Sequence, residues 1–201
     1  MTTILFLVGS LRKDSLNGRL ARVAARELPP GYDATFFDLG TLPFYSGDLE
    51  GEDTPPMVRA FHDALRAADG VFITTPEYNY ALPGIVKNAL DWASRPMLPR
   101  NAIVGRPMNA AVATISGTNG IRSLSDLKRI WANCGGVTVN AFDFVLQNAP
   151  AKFIDDHGVE TLEPVSLATL RFALANLRRL IEHETGRVSE ANWDAFAEQL
   201  R

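Results

Sequence analysis

The chain has 201 residues, 46% hydrophobic and 21% charged, with a formal net charge of −3. That length suits one ordinary domain spanning 1–201, and the charge gives no electrostatic case for nucleic acid or an anionic membrane as a partner. No apolar stretch is long enough to span a bilayer, the N-terminus runs straight into a strand pattern with no secretory leader, and the single Cys134 forms no internal disulfide; together these predict a cytoplasmic protein.

Apolar runs alternate with helical patterns along the chain. Strands are predicted at Thr3–Val8, Ala34–Asp38, Gly70–Thr75, Met108–Ile115 and Val137–Leu146. The first and third are almost continuously apolar, as strands covered on both faces are. Helices are predicted at Leu16–Leu28, Pro56–Ala68, Pro83–Ser94, Ile121–Asn133 and Pro164–Glu184, with a short last one over Glu190–Leu200. The fifth helix carries Leu167, Leu170, Leu174, Leu177 and Ile181 on one face. This alternation predicts an α/β fold, a doubly wound five-stranded parallel sheet of flavodoxin type with helices on both faces. Ligands in such sheets sit outside the carboxyl ends of the strands, where strand order reverses. The longest irregular segment, Gly40–Pro56, reads as a surface loop, a lid or a subunit contact.

Two loops at strand ends carry chemistry. Gly9-Ser10-Leu11-Arg12-Lys13-Asp14-Ser15-Leu16-Asn17 joins the first strand to the first helix. Amides at a helix start, the hydroxyls of Ser10 and Ser15, and the Arg12 guanidinium suit a phosphate. The loop has neither G-x-x-x-x-G-K-[ST] nor G-x-G-x-x-G, which points away from nucleotide hydrolysis. After the third strand comes Pro76-Glu77-Tyr78-Asn79-Tyr80-Ala81-Leu82-Pro83-Gly84. Its backbone amides, carboxamide and aromatic faces suit a planar heterocycle. A third loop reads Ser116-Gly117-Thr118-Asn119-Gly120.

Plainer readings stand beside these. Ser10 and Ser15 can simply cap the first helix. Glu77 can be a surface carboxylate that adds nothing beyond its backbone, and Tyr78 and Tyr80 can be packing residues. Cys134, before Gly135-Gly136, reads as a small buried residue. His62, His157 and His183 lack metal-ligand spacing, and Ser10 is not in a G-x-S-x-G turn.

Gly-Ser-Leu-Arg-x-x-Ser-x-Asn followed by Pro-Glu-Tyr-Asn…Pro-Gly-x-x-Lys-Asn-Ala-Leu-Asp-Trp resembles the NADPH-dependent FMN reductase family, which includes quinone- and chromate-reducing flavoproteins and related azoreductases. The resemblance runs over roughly Thr3 to Ile115. It implies a flavodoxin-like fold that binds FMN. Ser10, Arg12, Ser15 and Asn17, with the backbone of Leu16, would hold the phosphate. Pro76, Glu77, Tyr78 and Asn79 would line the ring, joined by Ser116, Gly117 and Gly120 although the spacing of this third loop departs from the family pattern. NADPH or NADH would act as a transient co-substrate. Hydride would pass through the flavin to a small-molecule acceptor (a quinone, azo compound, metal or free flavin) in ping-pong order, with no catalytic side chain. The resemblance also implies a homodimer or homotetramer. Arg95, Arg100 and Arg122 are candidates to read a 2′-phosphate. The alternatives are a flavodoxin-like electron carrier and a non-catalytic flavin-binding protein.

Overall fold

The computed structural model describes residues 1–97, 100–115, 120–183 and 185–199, the last stretch with side chains from 190 onward. Strands β1 (Thr2–Val8), β2 (Tyr32–Phe37), β3 (Gly70–Thr74), β4 (Pro107–Ala113) and β5 (Val137–Thr138) lie in the order β2-β1-β3-β4-β5. A further strand, β6 (Phe144–Leu146), also pairs with β4, and every pairing in this sheet is parallel. This is the flavodoxin-type order, which reverses between β1 and β3.

The side-chain period of two divides the core between the two faces. Leu5, Leu7, Val71, Ile73, Ala110 and Val112 face one way. They pack with residues of α2 (Pro56–Ala67), α3 (Gly84–Ala93) and α4 (Ile121–Asn133). Ile4, Phe6, Phe72, Ala111 and Ala113 face the other way, with α1 (Leu16–Arg26) and α5 (Pro164–Glu182). In the predicted α5 stripe, Leu170, Leu174 and Leu177 are buried, and Leu167 and Ile181 are partly so. Helix α6 (Thr185–Gln199) starts earlier than the sequence suggests. The predicted helix ends Glu184 and Leu200 lie outside the described residues.

Two departures from the predicted elements have physical causes. The fifth strand, expected as one run over Val137–Leu146, is two short pieces. The Val139 amide still donates to the Met108 carbonyl at 3.0 Å, and the chain then leaves the ladder before rejoining it at Phe144. Asn140 and Asp143 are poor strand residues, and Asp143 pairs with Lys128 of α4. The second departure is an antiparallel hairpin, β7 (Phe153–Asp156) and β8 (Val159–Leu162). Its turn places His157 at φ 53° and Gly158 at φ 84°, the paired positive values of a type I′ turn. Arg19 of α1 docks it, lying over the Phe153 ring and pairing with Glu160 at 2.7 Å.

The segment 40–56 is strapped to α3. The Asn88 amide and the Trp92 indole both donate to the Pro43 carbonyl, at 2.9 and 2.8 Å, and Asn88 Oδ1 accepts from the Tyr45 amide at 2.8 Å. Asn88 and Trp92 are buried, with these polar groups satisfied by the segment.

Candidate active site

The loops after β1 and β3 and the end of β4 converge where strand order reverses. They enclose a cleft of ≈ 350 Å³ lined by Ser10, Arg12, Ser15, Leu16, Asn17, Pro76, Glu77 and Tyr78. That volume falls within the roughly 300–1,000 Å³ range of small-molecule sites. Ala113, Thr114 and Ile115, at the end of β4, complete the lining. Sequence reasoning missed these three, because they read only as the tail of a strand.

The first loop is built for close approach. A Cβ on Gly9 would stand 2.6 Å from Val86 Cγ2 and 2.7 Å from Thr75 Oγ1, so only glycine lets the loop leave β1 this close to α3. Ser15 caps α1, its Oγ accepting from the Gly18 amide at 3.2 Å, while its carbonyl accepts from the Arg19 amide. The amides of Leu16 and Asn17 are the first-turn donors of the helix, which lack intrahelical acceptors. The plain reading of Ser15 as a cap is therefore correct, and the cap leaves the helix N-terminus facing the cleft.

Asn17 is more committed than its motif suggests. Its side-chain amide donates to the Ala113 carbonyl at 2.9 Å and its Oδ1 accepts from the Ala113 amide at 2.8 Å. Thr74 Oγ1 donates to its backbone carbonyl at 2.9 Å. The carboxamide thus ties α1 to the end of β4, and the backbone amide of Asn17, in the first turn of the helix, remains to meet an anion. The Arg12 side chain is exposed and, among the described residues, pairs with no carboxylate.

The second loop folds as a tight turn. Tyr78 and Ala81 exchange both backbone hydrogen bonds at 3.1 Å, with Asn79 at φ 50° and Tyr80 at φ 66° between them. An aromatic residue in the left-handed region is strained by about 1–3 kcal/mol, a feature that clusters at ligand sites. The turn leaves Tyr78 and Tyr80 exposed, with Tyr78 lining the cleft. Asn79 sits exposed at the tip and is not brought into the cleft lining.

Glu77 has a role that neither sequence reading gave it. Its side chain is 3% exposed. Its Oε2 accepts from the Gly120 amide at 2.9 Å and the Arg122 amide at 3.1 Å, and its Oε1 accepts from the Arg122 guanidinium at 3.1 Å. The carboxylate caps α4 from another loop and clamps the second loop to the third. Burial pushes its pKa up, but the Gly120 amide and the Arg122 guanidinium and amide outweigh burial and hold it below the usual carboxylate range. Ser123 Oγ adds a bond to the Pro76 carbonyl at 2.9 Å. Gly120, expected beside a ring, instead stands at the start of α4 with φ 125°, where a Cβ would meet Val112 at 2.5 Å. Ser116 and Gly117 lie outside the described residues. Cys134 is half-buried, and burial raises its thiol pKa, which leaves it a poor nucleophile.

A parallel sheet in 2-1-3-4-5 order, with an anion-binding helix start and an aromatic turn at its switch point, defines a flavodoxin-type mononucleotide-binding protein. The sequence profile of the NADPH-dependent FMN reductase family matches residues 2–151, and the chain belongs to that family. It is similar to a 2-hydroxy-1,4-benzoquinone reductase from Burkholderia sp, 40% identical over 152 residues that cover 75% of this chain and 77% of the relative. It is also similar to an NADPH:quinone oxidoreductase from Arabidopsis thaliana, 36% identical over 180 residues covering 84% and 90%. Among solved structures it superposes on FerB, a flavoenzyme NAD(P)H:(acceptor) oxidoreductase from Paracoccus denitrificans. The TM-score is 0.81 at 30% identity, over 92% of this chain and 99% of FerB. The chain is accordingly an FMN-dependent, NAD(P)H-driven oxidoreductase rather than a passive carrier.

The residues present fit FMN. One end of the cleft offers an unpaired guanidinium, two hydroxyls and free helix amides to a phosphate, and the other offers an aromatic side chain on a rigid turn.

Proposed function

We propose that the cleft holds FMN by its phosphate on Ser10, Arg12, Ser15 and the amides of Leu16 and Asn17. Its ring lies against Pro76, Glu77 and Tyr78, and the acceptor reduced is a quinone. Bound there, FMN supplies the two-electron chemistry that links a reduced nicotinamide to the acceptor. The protein contributes position. Ser15 and Asn17 fix the helix end, and Glu77 locks the second and third loops into one wall. Tyr78 and Tyr80 present aromatic faces at the mouth. No side chain is required to move a proton, and Glu77, held as an anion by its clamp, is unsuited to donate one.

The observation that carries this reading is a cleft in which the first loop, with Ser10, Arg12 and Ser15, meets the turn that carries Tyr78. The quinone acceptor is supported by relatives named for quinone reduction. Tyr80, Ile115 and Ile121 are exposed, and Ile115 lines the cleft; exposed apolar side chains of this kind support self-association into a homodimer or homotetramer. The lone thiol supports work in the reducing cytoplasm.

Initial rates measured over a grid of NADPH and benzoquinone concentrations test the shared site. Parallel double-reciprocal lines are expected, because donor and acceptor take turns in one cleft. Intersecting lines, or a rate with an azo dye that exceeds the quinone rate, would overturn this reading.

A further inference from the structure

A second groove, ≈ 380 Å³, lies on the outer side of the first loop, between α1 and the edge strand β2. It shares Ser10, Arg12 and Ser15 with the cleft and adds Lys13, Arg22 and Phe36. No carboxylate lines it. Twelve of the described cationic side chains are already ion-paired, and Arg26 and Arg59 donate to backbone carbonyls. Among the described residues, Arg12, Lys13, Arg22 and Arg179 are left with neither an ion pair nor a side-chain hydrogen bond. Three of these four meet in this one groove.

The groove also has an aromatic floor. Phe36 is 50% exposed although it sits in a strand, and its inner face stacks on the buried Phe6 ring at 5.1 Å. Opposite it, the Arg22 guanidinium lies over Gly18, where a Cβ would stand only 3.6 Å from Nη1. An aromatic face beside unpaired cations is the chemistry that receives a phosphorylated nucleoside, with the base on the ring and the phosphate on the cations.

The arginines that sequence reading offered for this task are all committed elsewhere. Arg95 is bonded to Tyr45 at 3.3 Å and paired with Glu50. Arg100 is paired with Glu190 and Asp194, and Arg122 with Glu77. Each already carries a carboxylate, which offsets the charge that a phosphate would meet.

We propose that this outer groove binds the adenosine end of the nicotinamide donor, with the base on Phe36 and the 2′-phosphate on Lys13 and Arg22, so that NADPH is preferred over NADH. The proposal rests on the reading of the inner cleft as the FMN site. The dinucleotide runs over the Ser10–Ser15 turn, which lines both spaces, and Arg12 serves the cofactor phosphate on the inner side.

The test uses FMN-saturated protein and two probes, adenosine 2′,5′-bisphosphate and 5′-AMP, in calorimetric titrations. Wild type is expected to bind the bisphosphate about 10- to 100-fold more tightly, and the Lys13→Gln/Arg22→Gln double variant to lose that preference. In steady state the ratio of the NADPH KM to the NADH KM should rise about 10-fold or more in the double variant. Phe36→Leu should raise both KM values together, since both donors carry the base. A double variant that keeps the bisphosphate preference overturns the proposal. So does one that weakens FMN binding by the same factor, because the cations would then belong to the cofactor phosphate. Wild type that retains no FMN would instead overturn the reading of the inner cleft, and the two failures are told apart by the flavin absorbance of the purified protein.

Discussion

Glu77 accepts three hydrogen bonds while nearly buried, and this sets its response to pH. Its native pKa lies below the ordinary value of 4.5, so the ionised form stabilises the fold. That contribution is complete above pH 4.5 and is lost as the pH falls through the lowered native value. The stability gap between wild type and Glu77→Gln should therefore be widest near neutrality and close in acid, as denaturant melts at several pH values would show. Glu77→Ala, which strands the Gly120 and Arg122 amides, should cost about 1–2 kcal/mol. A gap that does not change with pH would mean the clamp is absent in solution. Arg12 allows a cleaner test of ligand contact, since no protein group depends on it. Arg12→Ala should weaken FMN binding roughly 10- to 100-fold and leave riboflavin binding nearly unchanged. Equal losses for the two flavins would place Arg12 away from the phosphate. Ser10, Arg12 and Ser15 were legible from sequence because strand, polar loop and helix follow in order. The clamp was not, because Glu77 and Arg122 are 45 residues apart and nothing local links them.

At the level of elements, spacing between backbones matters most. Gly9→Ala places a methyl against Val86 and Thr75 and should destabilise the protein by about 1–3 kcal/mol while loosening FMN, measured by thermal melts with and without cofactor. If the melt is unchanged, β1 and α3 are not packed as closely as described. Helix α5 has its own acid switch. Glu163 caps it, and the Ser166 hydroxyl, Lys152 and the Val165 amide hold its pKa down to about 2. The cap should be complete above pH 4.5 and be lost between pH 4.5 and about 2, so Glu163→Gln should flatten that part of the acid-unfolding curve. Most helix limits were readable from apolar period and prolines; α4, at Ile121–Asn133, matches the predicted limits. The broken fifth strand and the β7–β8 hairpin were not readable. In both, tertiary pairs, Lys128 with Asp143 and Arg19 with Glu160, add to local preferences too weak to read alone.

The molecule as a whole brings two spaces together around one turn, the inner cleft and the outer groove that share Ser10, Arg12 and Ser15. The sheet order reverses beside that turn, which is where a doubly wound sheet offers a ligand site at the carboxyl ends of its strands. Apolar runs alternating with helix-period segments made the doubly wound architecture legible, since the β-α order implies a parallel sheet covered on both faces. The outer groove was hidden, because Phe36 and Arg22 lie in a predicted strand and a predicted helix with nothing local to bring them together. The central claim, that this cleft holds an FMN reducible by a nicotinamide and reoxidisable by a quinone, is tested most directly by an anaerobic titration. One equivalent of NADPH added to the FMN-loaded protein should bleach the flavin absorbance, and one equivalent of benzoquinone should then restore it. Protein that retains no FMN, or a bound flavin that stays oxidised with both NADPH and NADH, would contradict the account.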